Sequence, residues 1–483
     1  MHINDILWLL RNYIILAIKV LIPILAIFLI GYFLVYKKLL KGTKTIKKSQ
    51  ILLYAVSICY VVIVIGATFF SRMPSETYND RMNLNLFSSY VEAYHDIGVV
   101  LLNNVLLRNL ILNIMLFIPL GFLLPMYSDK LKKMYIVVSI GLLATLTIEF
   151  TQHFNDYGTF EIDDALNNTI GTLLGYCIFM IFYRLKNKES LKKIIGYTIP
   201  IIATVGVFAG MLIGHNNQEF GNFDFENNYT VDMSSVKVQS EIDFSNEKSK
   251  KQVYKTKTLT RDEARQIAIE KFAIIGETLD DTQTKEQENT VVFRNYRENQ
   301  EKDSYIVVIE YVGPKVIFSC GNEIYIDEDG NVHFMSKMEN ASRQEIEEEL
   351  KKLEYEVPAN AEFGQNRMEQ YEFTVNMQEE GNKMIDGKII CNYYEDKTIK
   401  RVSHEMITYD KVAKKEIMSE QEAYQQILDG KFKGFTIDEI KSITVKGVEL
   451  EYKLDSKGYY VPIYKFDVLL NGNKNTIYIK AIK

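Results

Sequence analysis

The chain has 483 residues, a formal net charge of −6 and four cysteines. Residues 1–213 carry 19 basic and 12 acidic side chains, whereas the remaining residues carry 37 and 50. An apolar, basic first part and a polar, acidic second part argue against a single soluble domain and against a nucleic-acid-binding protein. They predict a membrane domain followed by a soluble domain.

Six apolar runs are candidates to cross a bilayer, which takes about 17–25 residues, although the fifth is short unless it starts at Ala165. They cover residues 20–36, 51–70, 109–127, 134–150, 169–183 and 194–213. Residues 3–18 contain Trp8 and Arg11, and they are expected to lie in the membrane interface before the first run. The expected fold class is an all-α transmembrane bundle of about six spans followed by an α+β extracytoplasmic domain.

Lysine and arginine are concentrated in three alternate loops, at residues 37–48, 128–133 and 184–193. Alternate loops of a multi-pass protein lie on the same side of the membrane. Because basic loops stay inside the cell, this side is predicted to be the cytoplasm. The protein is then a multi-pass cell-membrane protein whose C-terminal domain is extracytoplasmic.

The acidic part divides into a linker at 214–257 and a folded domain at 258–483. Two helices in this domain are predicted to begin with a capping box, at Thr260 with Glu263 and at Ser419 with Glu422. Each is followed by alternating apolar and polar residues that are typical of strands. A helix followed by a strand meander, used twice, resembles PepSY-type modules, and the second unit is also similar to YycI/YycH-type regulatory ectodomains.

Polar side chains interrupt three spans near the ends that this topology places at the outer leaflet. Ionisable groups are costly in hydrocarbon, so they indicate a functional site. Residues three or four apart, such as Glu149 and Gln152, share one face of a helix. The candidate ligand-binding residues are Arg81, Asn83, Asn109, Asn113, Glu149, Gln152, Asp163, Asp164 and Asn167.

Structural explanations compete with ligand binding at several of these positions. Asp163 and Asp164 fit a helix N-terminus, where the helix dipole favours carboxylates. Glu149 needs either a cationic partner or a proton in its apolar span, and Arg81 and Arg108 are candidate partners. A divalent cation is a further alternative, but the spacing of its candidate ligands matches no standard site, so we predict no metal. These candidates are His153, Asp156, Glu161 and Asp163.

The polar motifs follow one another in a definite order along residues 51–183. They are Arg81…Asn83-Leu-Asn-Leu-Phe87, Asn109-x-x-x-Asn113…Pro119-x-Gly121, Glu149-x-x-Gln152 and Asp164-x-x-Asn167-x-x-x-Gly171-x-x-x-Gly175-Tyr176. The glycine pair allows close helix approach. This order resembles the VanZ-like membrane proteins, whose namesake is associated with low-level resistance to the lipoglycopeptide teicoplanin. Residues 1–50, the sixth span at 184–213 and the long ectodomain depart from that pattern.

The resemblance implies a membrane protein that takes part in teicoplanin-type antibiotic resistance or cell-envelope homeostasis. We expect recognition of a membrane lipid, a lipid-linked envelope precursor or a lipoglycopeptide at the outer leaflet. Arg81 would contact an anionic group, while Glu149 and Asp164 would orient this arginine or bind sugar hydroxyls. We predict no cofactor and assign no catalytic residue.

Two alternatives stay open from the sequence. One is a membrane enzyme that acts on a lipid-linked envelope precursor, with Glu149 or Asp164 as a general base. The other is a membrane-anchored sensor that acts through its ectodomain and a protein partner. The sequence favours a binding or sensing protein over an enzyme.

Overall fold

The computed structural model describes residues 3–41, 43, 47–70, 82–97, 105–155, 157–223, 225, 231–287, 289–295, 305–321, 323–326, 332–380, 383–433 and 440–482. The chain forms two compact units, and the first of them ends at Asn217. The first unit is helical, and the second is built on a large sheet.

The described part of the first unit contains seven α-helices: α1 Ile3–Ile30, α2 Lys48–Ile65, α3 Ser88–His95, α4 Val105–Tyr127, α5 Met134–Phe154, α6 Ile162–Lys186 and α7 Leu191–Asn217. The π-helical segments Gly31–Leu39 and Gly66–Phe70 continue α1 and α2. Six helices are long and apolar enough to cross a membrane. The predicted multi-pass bundle is therefore confirmed. In hydrocarbon, a helix satisfies its own backbone hydrogen bonds.

Two details of the predicted spans differ from the structure. The segment at 3–18 is not separate from the first span, because α1 runs through it without a break. The fifth span begins at Ile162 rather than near residue 169, so Asp163 and Asp164 lie in its first turn. Carboxylates are favoured at a helix N-terminus, so they do not delay the start of the helix.

Helices α4 and α6 pack in parallel with their backbones in close contact. A Cβ atom on Gly171 would lie 2.1 Å from the carbonyl oxygen of Ile114, and one on Gly175 would lie 1.9 Å from that of Ile118. A Cβ atom on Gly121 would lie 1.8 Å from a carbonyl oxygen of α6. A step of four residues along α6, from Gly171 to Gly175, corresponds to a step of four residues along α4, from Ile114 to Ile118. The two helices therefore run in the same direction. The predicted packing role of the glycine pair is confirmed, since only glycine leaves this space free.

Sixteen strands lie in the described part of the second unit: β1 Lys237–Ser240, β2 Lys250–Thr256, β3 Lys285–Gln287, β4 Thr290–Asn295, β5 Tyr305–Glu310, β6 Val316–Ser319, β7 Ile324–Ile326, β8 Val332–Phe334, β9 Glu362–Gln365, β10 Tyr371–Glu380, β11 Lys383–Tyr393, β12 Ile399–His404, β13 Ile407–Glu416, β14 Ser442–Leu454, β15 Tyr459–Leu470 and β16 Asn473–Lys480. Strands β7 and β8 form a separate hairpin, and the others form one sheet. With the helices below, this gives the predicted α+β class.

Three helices in this unit begin with a capping box: α8 Arg261–Ile274, α9 Arg343–Lys352 and α10 Glu420–Leu428. In each, a Thr or Ser side chain accepts from the backbone N–H of a glutamate three residues later. An antiparallel meander follows each helix, formed by β4–β6, β10–β12 and β14–β16. The sequence predicts two such units, and the structure adds the middle one.

Part of the predicted linker at 214–257 belongs to the sheet. Strand β2 lies between β13 and β15, and its residues Val253, Tyr254 and Thr256 are buried. The linker prediction is therefore wrong for this stretch. Three lysines make the segment look solvated, yet its other side chains cover apolar neighbours on the sheet.

The two cysteines of this unit are both free. Cys391 on β11 is opposite Val402 on β12, which is opposite Phe318 on β6, and Cys320 comes two residues after that. Strands lie about 4.8 Å apart and a strand rises about 3.3 Å per residue, so the two cysteines are separated by roughly 12 Å. A disulfide requires Cα atoms within about 7 Å. The fold therefore holds these thiols too far apart to pair.

Candidate ligand-binding site in the membrane unit

The polar side chains lie at one end of the bundle, where α4 and α6 begin and α5 ends. Tyr176 of α6 donates a hydrogen bond of 2.7 Å to the carbonyl oxygen of Lys132, in the basic segment between α4 and α5. Asp164 lies twelve residues earlier on α6, and a helix rises 1.5 Å per residue. The polar end is therefore about 18 Å along α6 from the basic segment.

Helices α5 and α6 are antiparallel, and two contacts set their register. A Cβ atom on Gly141 would lie 2.4 Å from the Thr172 hydroxyl oxygen. One turn further along α5, Thr145 accepts a hydrogen bond of 2.8 Å from Asn168. The next turn places residue 149 of α5 level with residue 164 of α6.

This register places two carboxylate residues, Glu149 of α5 and Asp164 of α6, at the same level of neighbouring helices. Glu149 is only 3% exposed, and it continues the buried stripe of Gly141 and Thr145. Asp164 is half-buried and accepts a hydrogen bond of 2.5 Å from Asn113 of α4. Three separate spans therefore bring polar groups to one level of the bundle.

Asn167 and Asn168 add carboxamides beside these carboxylates. The hydroxyl of Tyr90 donates a hydrogen bond to the Oδ1 atom of Asn167, which is fully buried. Within the described residues, the Nδ2 atom of Asn167 and the Oδ1 atom of Asn168 are buried without a hydrogen-bond partner. Buried polar groups are nearly always satisfied, so such atoms point to a missing partner at this site.

Asp163 has a different task from its neighbour Asp164. Its two oxygens accept hydrogen bonds of 2.7 Å from the backbone N–H of Phe87 and 2.8 Å from that of Ser89. These N–H groups lie at the start of α3, where helices leave donors unsatisfied. Asp163 therefore caps a different helix from its own, and it holds α3 against the bundle.

Asn83 supports the same segment. Its backbone N–H donates to the carbonyl oxygen of Phe160 at 2.8 Å, and its carbonyl oxygen accepts from Ile162 at 3.0 Å. Its side chain donates to the hydroxyl of Ser88 at 3.1 Å. Asn83 thus anchors the chain before α3 to the start of α6. The structure places it, like Asp163, in the scaffold of the site.

The remaining predicted residues divide into three cases. Gln152 is buried and donates a hydrogen bond of 2.7 Å to the carbonyl oxygen of Thr68, which ties α5 to the end of α2. Asn109 is exposed, so it does not join the buried cluster, although it lies one turn from Asn113. Arg81 lies outside the described residues.

The surroundings of α3 are electrostatically negative. Burial, together with the charge of Asp163, raises the pKa of Tyr90 to about 12. Burial raises the pKa of Glu92, with Glu161 and Asp163 adding to the effect. A negative region favours ligand groups that donate hydrogen bonds or carry positive charge. No group of three or more potential metal ligands occurs among the described residues, from which Asp156 is missing.

The sequence alone assigns no role to Tyr90 or Glu92, because they lie in the long connection between the apolar runs at 51–70 and 109–127. The signal was present in the spacing of Phe87, Tyr90, Val91 and Tyr94, which is that of one helix face. The short length of α3, eight residues, hid this pattern.

The site coincides with a region that matches a known family. The VanZ/LLP1 family model matches residues 51–183, which include α3, α4, α5 and most of α2 and α6. This region is VanZ-like. The match confirms the resemblance that the order of the polar motifs predicted, and all nine predicted residues lie within the VanZ-like region.

Two further comparisons concern the whole chain. No curated protein matches the sequence. One similar solved structure is the Bacillus megaterium YpeB C-terminal domain, with 11% sequence identity and a TM-score of 0.19. The match covers 47% of this chain and 95% of that chain. A TM-score of this size assigns neither fold nor function.

Proposed function

We propose that the VanZ-like region recognises the head group of an amphipathic ligand at the outer leaflet of the cell membrane. The ligand class is a membrane lipid, a lipid-linked envelope precursor or a lipoglycopeptide. The observation that carries this proposal is the helix register that places Glu149 and Asp164 at one level of the bundle, together with the buried Nδ2 atom of Asn167, which has no hydrogen-bond partner among the described residues.

The chemistry of the cluster suits a polyhydroxylated or amine-bearing head group. Carboxylates accept hydrogen bonds from hydroxyls and pair with ammonium groups, while the Nδ2 group of Asn167 is available as a donor. Arg81 adds a cation for an anionic group such as a phosphate. Hydrogen bonds to ionised groups are the stronger class, which suits selection of one head group from many lipids.

The outer leaflet is proposed from the charge of the loops. The basic segments at 37–48, 128–133 and 184–193 favour the cytoplasmic side. The polar cluster lies at the end of α6 away from the segment at 128–133. The second unit, which follows α7, would then be extracytoplasmic.

A sensor is the second candidate function, and one observation favours it. The buried carboxylate of Asp455 accepts a hydrogen bond of 2.5 Å from the backbone N–H of Gly221, only four residues after α7 ends. Ser456 accepts another of 2.9 Å from Asn222. The folded second unit thus begins within four residues of a membrane-spanning helix, which is the arrangement of a membrane-anchored sensor.

Recognition is tested by comparing Glu149→Gln and Asp164→Asn with wild type. Purified full-length protein would be incubated with teicoplanin or with a polyprenyl-linked sugar, and the retained ligand would be measured by native mass spectrometry. We expect both substitutions to weaken retention, and we expect Arg81→Ala to weaken retention of the anionic ligand most.

The same variants separate recognition from the two alternatives. A general base contributes about 10²–10⁴ in rate. Retained binding with a large accumulation of lipid-linked precursor in either variant would overturn recognition in favour of an enzyme. A third outcome is that deletion of residues 218–483 abolishes the protein's effect on the cell while Glu149→Gln leaves that effect unchanged. That outcome would favour the sensor over recognition by the VanZ-like region.

A further inference from the structure

A cavity of about 510 Å³ lies between α3, α6 and α7. Phe87, Tyr90, Val91 and Tyr94 form its wall on the side of α3. The α6 and α7 walls are formed by Leu166, Ile170, Ala203, Thr204, Val207, Phe208 and Met211. This volume falls within the range of about 300–1,000 Å³ that is usual for ligand pockets.

The groove lies along the middle of α7, where this helix is only partly covered. Ile194 and His215 are the residues of α7 that are buried, and they lie near opposite ends of the helix. In the middle, a Cβ atom on Gly206 or Gly210 would meet nothing within 4 Å. Between Ile194 and His215 the side chains of α7 are half-buried or exposed, and the space beside them must be filled for dispersion contacts to be made.

The lining accepts hydrocarbon and offers nothing to a polar ligand. The Tyr90 hydroxyl is already bonded to Asn167, and the Thr204 hydroxyl donates to the carbonyl oxygen of Pro200 at 2.9 Å. Apart from Tyr94, which contacts the ring of His215, the other lining side chains are apolar. Both α6 and α7 are long and apolar enough to cross the membrane. In a membrane, this groove is therefore open to the acyl chains of lipids.

We propose that this groove holds one acyl chain of a membrane lipid, with the head group directed to the polar cluster. Tyr90 connects the two regions, because its ring lines the groove and its hydroxyl binds Asn167. The inference rests on the proposed recognition function and adds the nature of the ligand's apolar part. It also assigns α7, which lies beyond the VanZ-like residues 51–183, a part in binding.

The groove can be filled by a single substitution. Ala203 is an exposed lining residue of α7, and Ala203→Phe would place a ring in the space for the chain. Val205 lies on the same helix, is 62% exposed and does not line the groove. Val205→Phe is the matched control, because it adds a ring to the other side of α7.

Full-length protein would be reconstituted in phosphatidylcholine vesicles that contain a phosphatidylglycerol with a diazirine on one acyl chain. After illumination, labelled peptides would be quantified by mass spectrometry. We expect labels on α3 and α7 residues of the groove, roughly tenfold less labelling in Ala203→Phe, and wild-type labelling in Val205→Phe. Equal labelling in the two variants would overturn the groove assignment.

Competition and a second variant separate the possible failures. Displacement of the probe by a polyprenyl phosphate, but not by unlabelled phosphatidylglycerol, would overturn the acyl assignment in favour of a prenyl chain. If Glu149→Gln leaves groove labelling and head-group selectivity unchanged, recognition by the cluster fails and the chain-binding groove stands. If the protein still distinguishes head groups but no groove residue is labelled, the proposal of head-group recognition is supported and the proposal of an acyl chain in the groove is overturned.

Discussion

The Nδ2 atom of Asn113 lies 2.5 Å from the Oδ1 atom of Asp164, so a hydrogen bond joins the third span to the fifth. The two helices are parallel, and the glycines of α6 bring them close enough for short side chains to meet. Asn109, one turn before Asn113, is exposed and serves as its natural control.

We expect Asn113→Leu to weaken ligand retention, while Asn109→Leu leaves it unchanged. Interhelical hydrogen bonds in membranes contribute about 1–2 kcal/mol at most. The coupling energy between Asn113→Leu and Asp164→Leu in a double-mutant cycle should therefore be of that size. Additive effects in thermal unfolding of the detergent-solubilised protein would contradict a direct bond.

Asp163→Ala should release α3 from the bundle. The substitution removes the acceptor of the backbone N–H groups of Phe87 and Ser89, and loss of a helix cap costs about 0.5–2 kcal/mol. Hydrogen exchange of residues 87–95 should become faster. Asp129→Ala, which removes an exposed ion pair with Lys132, should leave this exchange unchanged.

Gly175→Ala should disrupt the contact between α4 and α6. The new methyl group would lie 1.9 Å from the carbonyl oxygen of Ile118, so the helices must move apart. Overpacking of this kind costs about 1–3 kcal/mol, and a backbone contact places it at the upper end. Gly206→Ala is the control, because its methyl group would meet nothing within 4 Å. Equal melting temperatures for the two variants would contradict the close packing.

The proposed orientation is testable with single cysteines in a chain that lacks the four native ones. Ser128 and Asn187 lie in basic segments, and cysteines there should be protected from membrane-impermeant thiol reagents in intact cells. A cysteine at Asn217 should react. Reaction at residue 128 combined with protection at residue 217 would reverse the topology.

The second unit should lose stability in mild acid through His404. Burial lowers the pKa of this histidine, and the charge of Lys271 lowers it further. The folded state therefore holds His404 neutral and stacked on Tyr355, while the unfolded chain binds a proton below about pH 6.5. The contribution of neutral His404 to the stability of the folded state is therefore complete above about pH 6.5, and it is lost as the pH falls below that value.

Hydrogen exchange of the β12 amides in the full-length protein measures this loss. Exchange should accelerate as the pH falls through about 6.5 in wild type, after correction for intrinsic rates. The acceleration should be smaller in His404→Gln, which cannot take up the proton. An identical acid response in the two proteins would assign the effect to other groups.

The sequence determined the features that depend on local composition. Apolar runs of sufficient length specified six spans, because each helix satisfies its own backbone in hydrocarbon. Capping boxes marked the starts of α8 and α10, since a Thr or Ser and a glutamate three residues later bond within one turn. The order of polar motifs in residues 51–183 was enough to indicate the VanZ-like region.

Only the tertiary structure decided what each polar residue does. Asp163 and Asp164 are adjacent and chemically alike, yet one caps α3 and the other faces Asn113. Asn109 and Asn113 share a helical spacing, but one is exposed and the other half-buried. Such differences depend on the register between helices that are far apart in sequence. That register is set by backbone contacts at glycines, so spacing along a single helix cannot reveal it.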